Sequence, residues 1–412
     1  MKNISTNKQS GAVSLFVVVF FMLLVTVVTV SFLRLMISDQ QQASNNDLSQ
    51  SAYDSAQAGV EDAKRKLLEY KSFCNTATPA SCAAASDATH LSSEVCNAAL
   101  VNNVGVVATS KTGEVLVQQS ASTNDVLLDQ AYTCVTIKMD TEDYVGSMTA
   151  NESQIVPLVS AGAFNRVRVE WFSKEDITTS GSGTTVNLTG ANASGQPLYA
   201  QGQWPLNRPS LMRAQLMQVP SAGNFTVASF DTVSGANSNG ATMFLYPTSQ
   251  AGIPERDMTT YDQRKTDPAD DPNPKDALMT PTAISCLSTL GAGGYACSSV
   301  LVLPQPVGST TDLNRYAFLR LTALYNATHF RVTLWNGPIG ASSTPVSFKG
   351  VQPLIDSTGR ANDLFRRVQS RVDLFDTTFP YPEAAIDLTG NFCKDFAITD
   401  TQYIAGSAAC TP

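Results

Sequence analysis

The feature that most constrains this chain is an uncharged segment near its N-terminus. From Ala12 to Leu33, 22 consecutive residues carry no charge, and Val, Leu and Phe dominate them. As a helix that rises about 1.5 Å per residue, this segment is long enough to cross the roughly 30 Å hydrocarbon core of a bilayer. The sequence therefore predicts one membrane-spanning helix.

The flanks of the segment indicate its orientation and processing. Lys2 and Lys8 precede it, whereas Arg34 and Asp39 follow it. The positive-inside rule therefore favours a cytoplasmic N-terminus and an exported remainder, although Arg34 weakens the signal. A secretory signal peptide would have an apolar core of about 7 to 15 residues and a small-x-small cleavage site. Neither feature is present here. Two alternatives remain, an uncleaved anchor and a leader that is cut before the apolar segment.

The residues that open the segment favour the cleaved leader. Residues 8–16 read KQSGAVSLF, so a basic leader ends in Gly11 directly before the apolar helix. This arrangement resembles the class III signal of the type IV pilin family. The resemblance implies that a prepilin peptidase cuts between Gly11 and Ala12 and methylates the new amine of Ala12. The hydrophobic helix would then remain in the mature protein.

The chain departs from the family pattern at one position. Major subunits of the family carry Glu at the fifth mature position, which is Phe16 here. In the family this carboxylate meets the N-terminal amine of a neighbouring subunit, and a buried charge without such a partner is costly. Minor pilins of the pilus-tip (PilX-type) family and the tip pseudopilin of type II secretion also tend to lack it. The departure implies a minor subunit, in a tip or initiating position.

The helix is predicted to continue beyond the membrane, from Ala12 to about Leu68. No proline occurs before Pro79, and Gly59 is the only glycine from Ala12 to Tyr70. Such a helix would be roughly 85 Å long. A narrow apolar face, which we call the small-residue stripe, recurs every three or four residues and must pack on a globular head. Its residues are Leu48, Ala52, Ala56, Val60, Ala63 and Leu67.

The same stretch carries a second resemblance to the tip pilins. Residues 52–63 read AYDSAQAGVEDA, similar to the Ala-rich segment that these minor pilins have at this distance from the membrane helix. The same residues also fit a plain packing face, because small side chains permit close backbone approach. The resemblance covers about residues 8–70.

Beyond Tyr70, short alternating segments are separated by Gly, Pro, Asn and Asp, which predicts antiparallel β-structure. Val167, Val169 and Trp171 alternate with charged residues, as in a half-buried strand, and residues 367–374 repeat the pattern. Residues 326–328 predict a hairpin turn between two further strands. The predicted fold class is α+β: a long N-terminal pilin spine helix, membrane-spanning in its first half, packed on a large antiparallel β-rich extracellular head.

The sequence divides into five predicted regions. These are a leader (1–11), a transmembrane and spine helix (12–70), a first β-rich head region (71–177), a loop-rich β region with an acidic Pro-rich segment (178–282) and a C-terminal β region with a disulfide loop (283–412).

Eight cysteines, all after the apolar segment, predict disulfides in an oxidising compartment. No CxxC pair occurs and histidine is scarce, which disfavours zinc; buried free thiols are the alternative. Proximity in sequence predicts a Cys286–Cys297 bridge. Pairing of Cys393 with Cys410 is implied by resemblance to the disulfide-bounded C-terminal loop of pilins. The sequence leaves open three connectivities for Cys74, Cys82, Cys96 and Cys134.

The chain lacks the usual marks of catalysis or nucleic-acid binding. Its net charge is −8 without a basic cluster, so we expect no nucleic-acid partner. We find no HExxH, GxSxG or GxxxxGK[ST] motif, and the two histidines are His90 and His329. We therefore expect no enzyme activity and no cofactor. Trp204 and Trp335 fit either adhesion or a core.

An acidic run is a candidate calcium site. Carboxylates are the ligands that Ca²⁺ prefers, but the spacing is not that of an EF-hand and the interspersed prolines favour a stiff exposed linker. The residues are Asp267, Asp270, Asp271 and Asp276.

These features predict a minor subunit of a type IV pilus or related filament that acts in surface assembly, adhesion and twitching motility. Its partners would be other pilin subunits through the N-terminal helix, the prepilin peptidase, the membrane before assembly, and a host or surface ligand. It would be a single-pass protein of the inner or cytoplasmic membrane with an extracytoplasmic head, and later part of a filament or the cell surface. The alternatives are a pseudopilin of a type II secretion or DNA-uptake machine, an uncleaved surface adhesin, and an anchored exoenzyme.

Overall fold

One long helix followed by strands forms the described part of the chain, which confirms the predicted α+β class. The computed structural model describes residues 10–78, 80–82, 84–85, 91, 94–96, 101, 113–118, 130–178, 183–188, 203–219, 240–249, 255–258, 281–291, 294–308, 316–338 and 343–374.

The helix and strands have the following bounds. Helix α1 is Ser10–Cys74, and a short 3-10 helix is Lys174–Asp176. The strands are β1 (Val115–Gln118), β2 (Gln130–Thr141), β3 (Asp143–Met148), β4 (Ser153–Pro157), β5 (Phe164–Trp171), β6 (Leu211–Val219), β7 (Gly240–Thr248), β8 (Glu255–Asp257), β9 (Thr282–Ser285), β10 (Cys297–Val307), β11 (Tyr316–Leu324), β12 (Thr328–Asn336), β13 (Thr344–Val346), β14 (Phe348–Ala361) and β15 (Leu364–Arg371).

The described residues divide into two structural units. Unit 1 draws on Met1–Ile137 and Ile355–Ser370, and unit 2 on Lys138–Leu354 and Arg371–Pro412. Strands β2 and β14 therefore contribute residues to both units.

Helix α1 continues six residues past the predicted end at Leu68. It has 65 residues, so it is about 98 Å long at 1.5 Å per residue. Beyond its last residue, the backbone N–H groups of Asn75 and Thr76 donate to the carbonyls of Lys71 and Phe73. A disulfide joins Cys74 to Cys82 and thus ties the end of the helix to the segment that follows it.

The second half of α1 packs in unit 1, along the predicted small-residue stripe. Ala52, Ala56, Val60, Ala63 and Leu67 are buried, and Leu48 is partly buried. The sheet of this unit has the strand order β1-β2-β14-β15. The prediction that one narrow face of the helix packs on the head is confirmed.

Two glycines let the helix approach this sheet at backbone distance. A Cβ atom on Gly359 of β14 would overlap the carbonyl oxygen of Ala52 and the backbone nitrogen of Ala56. A Cβ on Gly59 of the helix would overlap the hydroxyl of Ser357 and lie 3.0 Å from Cγ of Tyr132. At Gly359 the strand therefore lies directly against the backbone of the helix, whereas at Gly59 the side chains of Ser357 and Tyr132 fill the space that a Cβ would need.

Unit 2 contains two sheets that enclose one hydrophobic core. The first has the order β13-β12-β5-β10-β8, with β3 also paired to β12, and the second has the order β4-β11-β6-β7-β9. Most pairs are antiparallel, but β8 and β9 pair in parallel with β10 and β7. Val167, Val169 and Trp171 are fully buried, as their alternation predicts, and face Leu319 and Leu321 in the same core.

The predicted hairpin at residues 326–328 is wrong. Strand β11 pairs with β4 and β6, whereas β12 pairs with β5, β3 and β13, so the two strands lie in different sheets. Tyr325 adopts a φ of 78° at the corner, and the side-chain amide of Asn326 donates to the carbonyl of Arg208 at 2.9 Å. Turn residues specify a change of direction, but tertiary packing decides which strand becomes the partner.

Three disulfides occur among the described residues. The predicted Cys286–Cys297 bridge is confirmed, and it joins the end of β9 in one sheet to the start of β10 in the other. The undecided cysteines pair as Cys74–Cys82 and Cys96–Cys134. Cys393 and Cys410 lie outside the described residues, so their pairing stays a prediction.

The close contact at Gly359 generates a stability prediction. Gly359→Ala forces a methyl group into the backbone of α1, and overpacking of this kind costs about 1–3 kcal/mol or more. We expect a lower melting temperature of the detergent-solubilised chain and faster hydrogen exchange in residues 48–67 of α1.

Gly291→Ala is the matched control, because nothing lies within 4 Å of a Cβ at Gly291. It should leave both measurements nearly unchanged. Equal stability of the two variants would contradict the described helix–strand contact.

Candidate functional site

The first half of α1 is the candidate functional site. Every side chain from Leu15 to Asp47 is exposed, which includes the apolar run from Leu15 to Leu33. An apolar surface of this size marks a membrane or protein interaction site. We call residues Leu15–Ile37 the exposed apolar segment.

The three hydroxyl side chains within this segment satisfy their hydrogen bonds locally. The hydroxyl groups of Thr26, Thr29 and Ser31 donate to carbonyls one turn earlier in the helix, at 2.8–3.0 Å. A helix in hydrocarbon must satisfy its polar groups internally, because no water is present to do so. The hydroxyl groups of the segment therefore have the hydrogen bonds that a lipid or protein interior requires.

Within the described part of the chain, α1 is the one helix that is long and apolar enough to span a membrane. The residues predicted to direct its processing lie at its beginning: Gly11 and Ala12 belong to α1, and Phe16 is 75% exposed. The fifth position after the predicted cut is thus an exposed phenyl ring. Cleavage at Gly11–Ala12 stays a prediction.

Polar contacts fix the second half of α1 within unit 1. The buried hydroxyl of Tyr132 donates to Asp62 at 2.8 Å, and Arg65 lies 3.5 Å from the same carboxylate. Burial raises the pKa of Tyr132, and the hydrogen bond to Asp62 raises it further. Nε of Arg366 on β15 donates to the hydroxyl of Ser49 at 2.8 Å. These contacts hold the helix against the β2 and β15 residues of its own unit.

A second polar cluster joins β14 to the edge strand β15. The guanidinium of Arg367 donates to both carboxylate oxygens of Asp356, and Gln369 donates to one of them at 2.6 Å. Burial opposes ionisation of Asp356, but the hydrogen bonds from Arg367 and Gln369 outweigh it, so its pKa lies below the ordinary value.

The predicted calcium ligands Asp267, Asp270, Asp271 and Asp276 lie outside the described residues, as does His90. Among the residues that the structure describes, no group of three or more His, Cys, Asp or Glu side chains could hold a metal ion.

His329 lies on β12, with its ring between two carboxylates. Its Nδ1 is 2.7 Å from Asp176 and its Nε2 is 3.2 Å from Glu175. Its backbone N–H also donates to Asp176 at 3.0 Å. These contacts attach the 3-10 helix to β12, so we assign His329 a structural role.

The two tryptophans singled out from the sequence have different environments. Trp204 is buried and stacks on Tyr325, with ring centroids 4.3 Å apart, so it belongs to a small core. Trp335 is partly exposed on β12. Sequence reasoning did not single out Gly359, although an isolated glycine inside a strand pattern is a signal for close backbone approach.

No family model matches this chain, and no curated protein or solved structure is significantly similar to it. The resemblance to pilins therefore rests on the residues of the N-terminal region.

The exposed apolar segment predicts integral membrane association of the unassembled chain. The double variant Leu24→Lys and Val28→Lys places two charges on one face at its centre, each costing about 2.5–3.5 kcal/mol of insertion free energy. We expect wild type to stay in the membrane pellet after alkaline carbonate extraction, and the variant to shift toward the supernatant.

Gln40→Lys with Ser44→Lys is the control, because it adds the same charges at the same spacing beyond the apolar segment. Extraction of the wild type by carbonate, or equal release of both double variants, would contradict a membrane-spanning role.

Proposed function

We propose that the chain is a minor subunit of a type IV pilus or related filament, in a tip or initiating position. The observation that carries the proposal is the division of α1 into an exposed apolar half and a half that packs on a β-sheet through the small-residue stripe. A plain membrane anchor needs the first half alone. A filament subunit needs both, because the apolar half leaves the membrane and packs among neighbouring helices while the other half carries the head.

The residues before the helix support the same function. Lys8 and Gly11 precede an uninterrupted apolar helix, as in the signal that prepilin peptidases process. The cut chain would begin at Ala12, and the whole apolar segment would remain available for assembly. Disulfides at Cys74–Cys82, Cys96–Cys134 and Cys286–Cys297 agree with a head exported to an oxidising compartment.

Phe16 supports a position at the end of the filament. A shaft subunit must dock its helix on subunits that were added before it, and a carboxylate near the N-terminus aligns it with a neighbour's amine. Phe16 offers only apolar packing at that position, so this chain cannot make the ion pair. It can still accept neighbours along its exposed apolar segment, as an initiating subunit must.

Two alternatives share these supporting features. A pseudopilin of a type II secretion or DNA-uptake machine would have the same leader, helix and head. An uncleaved surface adhesin would have the same exposed apolar segment but would keep its first eleven residues.

The length of the mature protein separates the adhesin from the other two. We expect intact mass spectrometry of the chain, purified from cells that contain a prepilin peptidase, to show loss of residues 1–11 and the addition of one methyl group. Gly11→Val, which enlarges the residue at the predicted cut and leaves the apolar segment unchanged, should keep the full length. A wild-type chain that retains Met1 to Gly11 would contradict the proposal.

A further inference from the structure

In unit 2, the sheet with the order β13-β12-β5-β10-β8 carries a regular array of charged residues on its outward face. Arg166, Arg168 and Glu170 alternate along β5 with core residues and therefore point away from the core. On the neighbouring strand β12, the residues directly opposite them are, in the same order, Trp335, Thr333 and Arg331. We call these six residues, together with Glu255 of β8 and Asp143 of β3, the charged face.

Most cations of the charged face have a carboxylate partner. Nε of Arg166 donates to Glu255 at 3.0 Å, and Arg331 pairs with Glu170 at 2.8 Å. Asp143 pairs with Arg371 at 2.7 Å. These pairs use the carboxylates of the face and leave its flanks close to neutral.

Arg168 differs from its neighbours. Its guanidinium lies over the ring of Trp335, 5.2 Å from the centroid. Among the described residues it forms no ion pair, and its buried Nε has no hydrogen-bond partner. A guanidinium stacked on an indole keeps its in-plane N–H groups available, because stacking uses the face of the cation. Among the described residues, the charge of Arg168 is therefore not neutralised by an ion pair.

Trp335 is held in place beneath this cation. Its indole N–H donates to the hydroxyl of Thr333 at 2.9 Å, and Thr333 is the residue of β12 directly opposite Arg168. The donor group of the indole is thus satisfied within the sheet. A charged, planar donor group therefore lies over an aromatic ring, and both side chains extend from rigid, paired strands.

We propose that Arg168 and Trp335 form a binding site for a carboxylated sugar. The guanidinium would donate to the carboxylate, and the apolar C–H face of the sugar ring would pack on the part of the indole that the guanidinium does not cover. This combination meets both requirements of an acidic monosaccharide unit, namely one negative charge and one flat, weakly apolar face.

An acidic peptide fits this surface less well. Extended peptides commonly bind by adding a strand to a free sheet edge, and β5 has no free edge because β12 and β10 pair with it on either side. A compact ring ligand needs no edge. The proposal does not depend on the filament function, since a surface adhesin of any kind could use the same site.

The test measures binding of the full-length chain in detergent micelles by saturation-transfer NMR and calorimetry. The probes are short oligomers of galacturonate and glucuronate and free N-acetylneuraminate, each compared with its methyl ester, which keeps the ring and removes the charge. We expect at least one acid to bind, and its ester to bind at least about tenfold more weakly, as loss of a charged hydrogen bond implies.

Variants locate the binding to the proposed residues. Arg168→Gln should weaken the acid at least about tenfold, and Trp335→Leu should weaken both the acid and its ester, because the stacking surface is lost. Lys349→Gln is the control for net charge, since Lys349 is an exposed cation elsewhere in unit 2. It should change affinity by less than about twofold, and circular dichroism should show that all variants are folded.

Three results would overturn the proposal. They are absence of binding by all three acids at millimolar concentration, equal binding of acid and ester, and equal weakening by Arg168→Gln and Lys349→Gln. Tighter binding of a tetra-aspartate peptide than of every sugar acid would also overturn it, in favour of an acidic protein partner.

Discussion

The contact between α1 and β14 at Gly359 is the interaction on which unit 1 depends. A helix normally packs on a sheet through two layers of side chains, but Gly359 admits the backbone of Ala52 and Ala56 directly. On the helix side, Gly59 leaves room for the side chains of Ser357 and Tyr132. Because backbone positions cannot relax as side chains do, the contact fixes the register of the helix along the strand. The Tyr132–Asp62 and Arg366–Ser49 hydrogen bonds then hold that register on both sides of it.

The first half of α1 has no comparable packing among the described residues. Between Leu15 and Asp47 every side chain is exposed, so the stability of the helix there must come from an environment other than its own head. Full burial of each Val, Leu or Phe side chain contributes about 1.5–3 kcal/mol, which over the exposed apolar segment amounts to tens of kcal/mol. In the proposed function, lipid would supply that environment before assembly and the filament would supply it afterwards.

Local patterns in the sequence predicted much of the fold. The apolar run, the small-residue stripe and the alternation in β5 are periodic signals, and each appears in the structure with the expected exposure. The partners of strands were not predictable in the same way. Residues 326–328 have the composition of a hairpin turn, yet they connect two sheets, because β11 and β12 each find better partners far away in sequence.

The same limit applied to the candidate sites. Arg166 and Arg168 look equivalent in the sequence, two residues apart on one strand face. Only the parallel pairing of β8 with β10 brings Glu255 to Arg166, across 89 positions of sequence, and leaves Arg168 to stack on Trp335. The Gly359 contact similarly joins segments about 300 residues apart, so no local pattern contained it.

The central claim is that this chain enters a filament as a minor subunit at its end. Immunogold electron microscopy of whole cells, with antibodies to the β-rich head, tests it most directly. The account predicts gold particles at filament tips. Labelling along the whole shaft would contradict the tip or initiating position, and labelling of the cell surface without filaments would contradict assembly altogether.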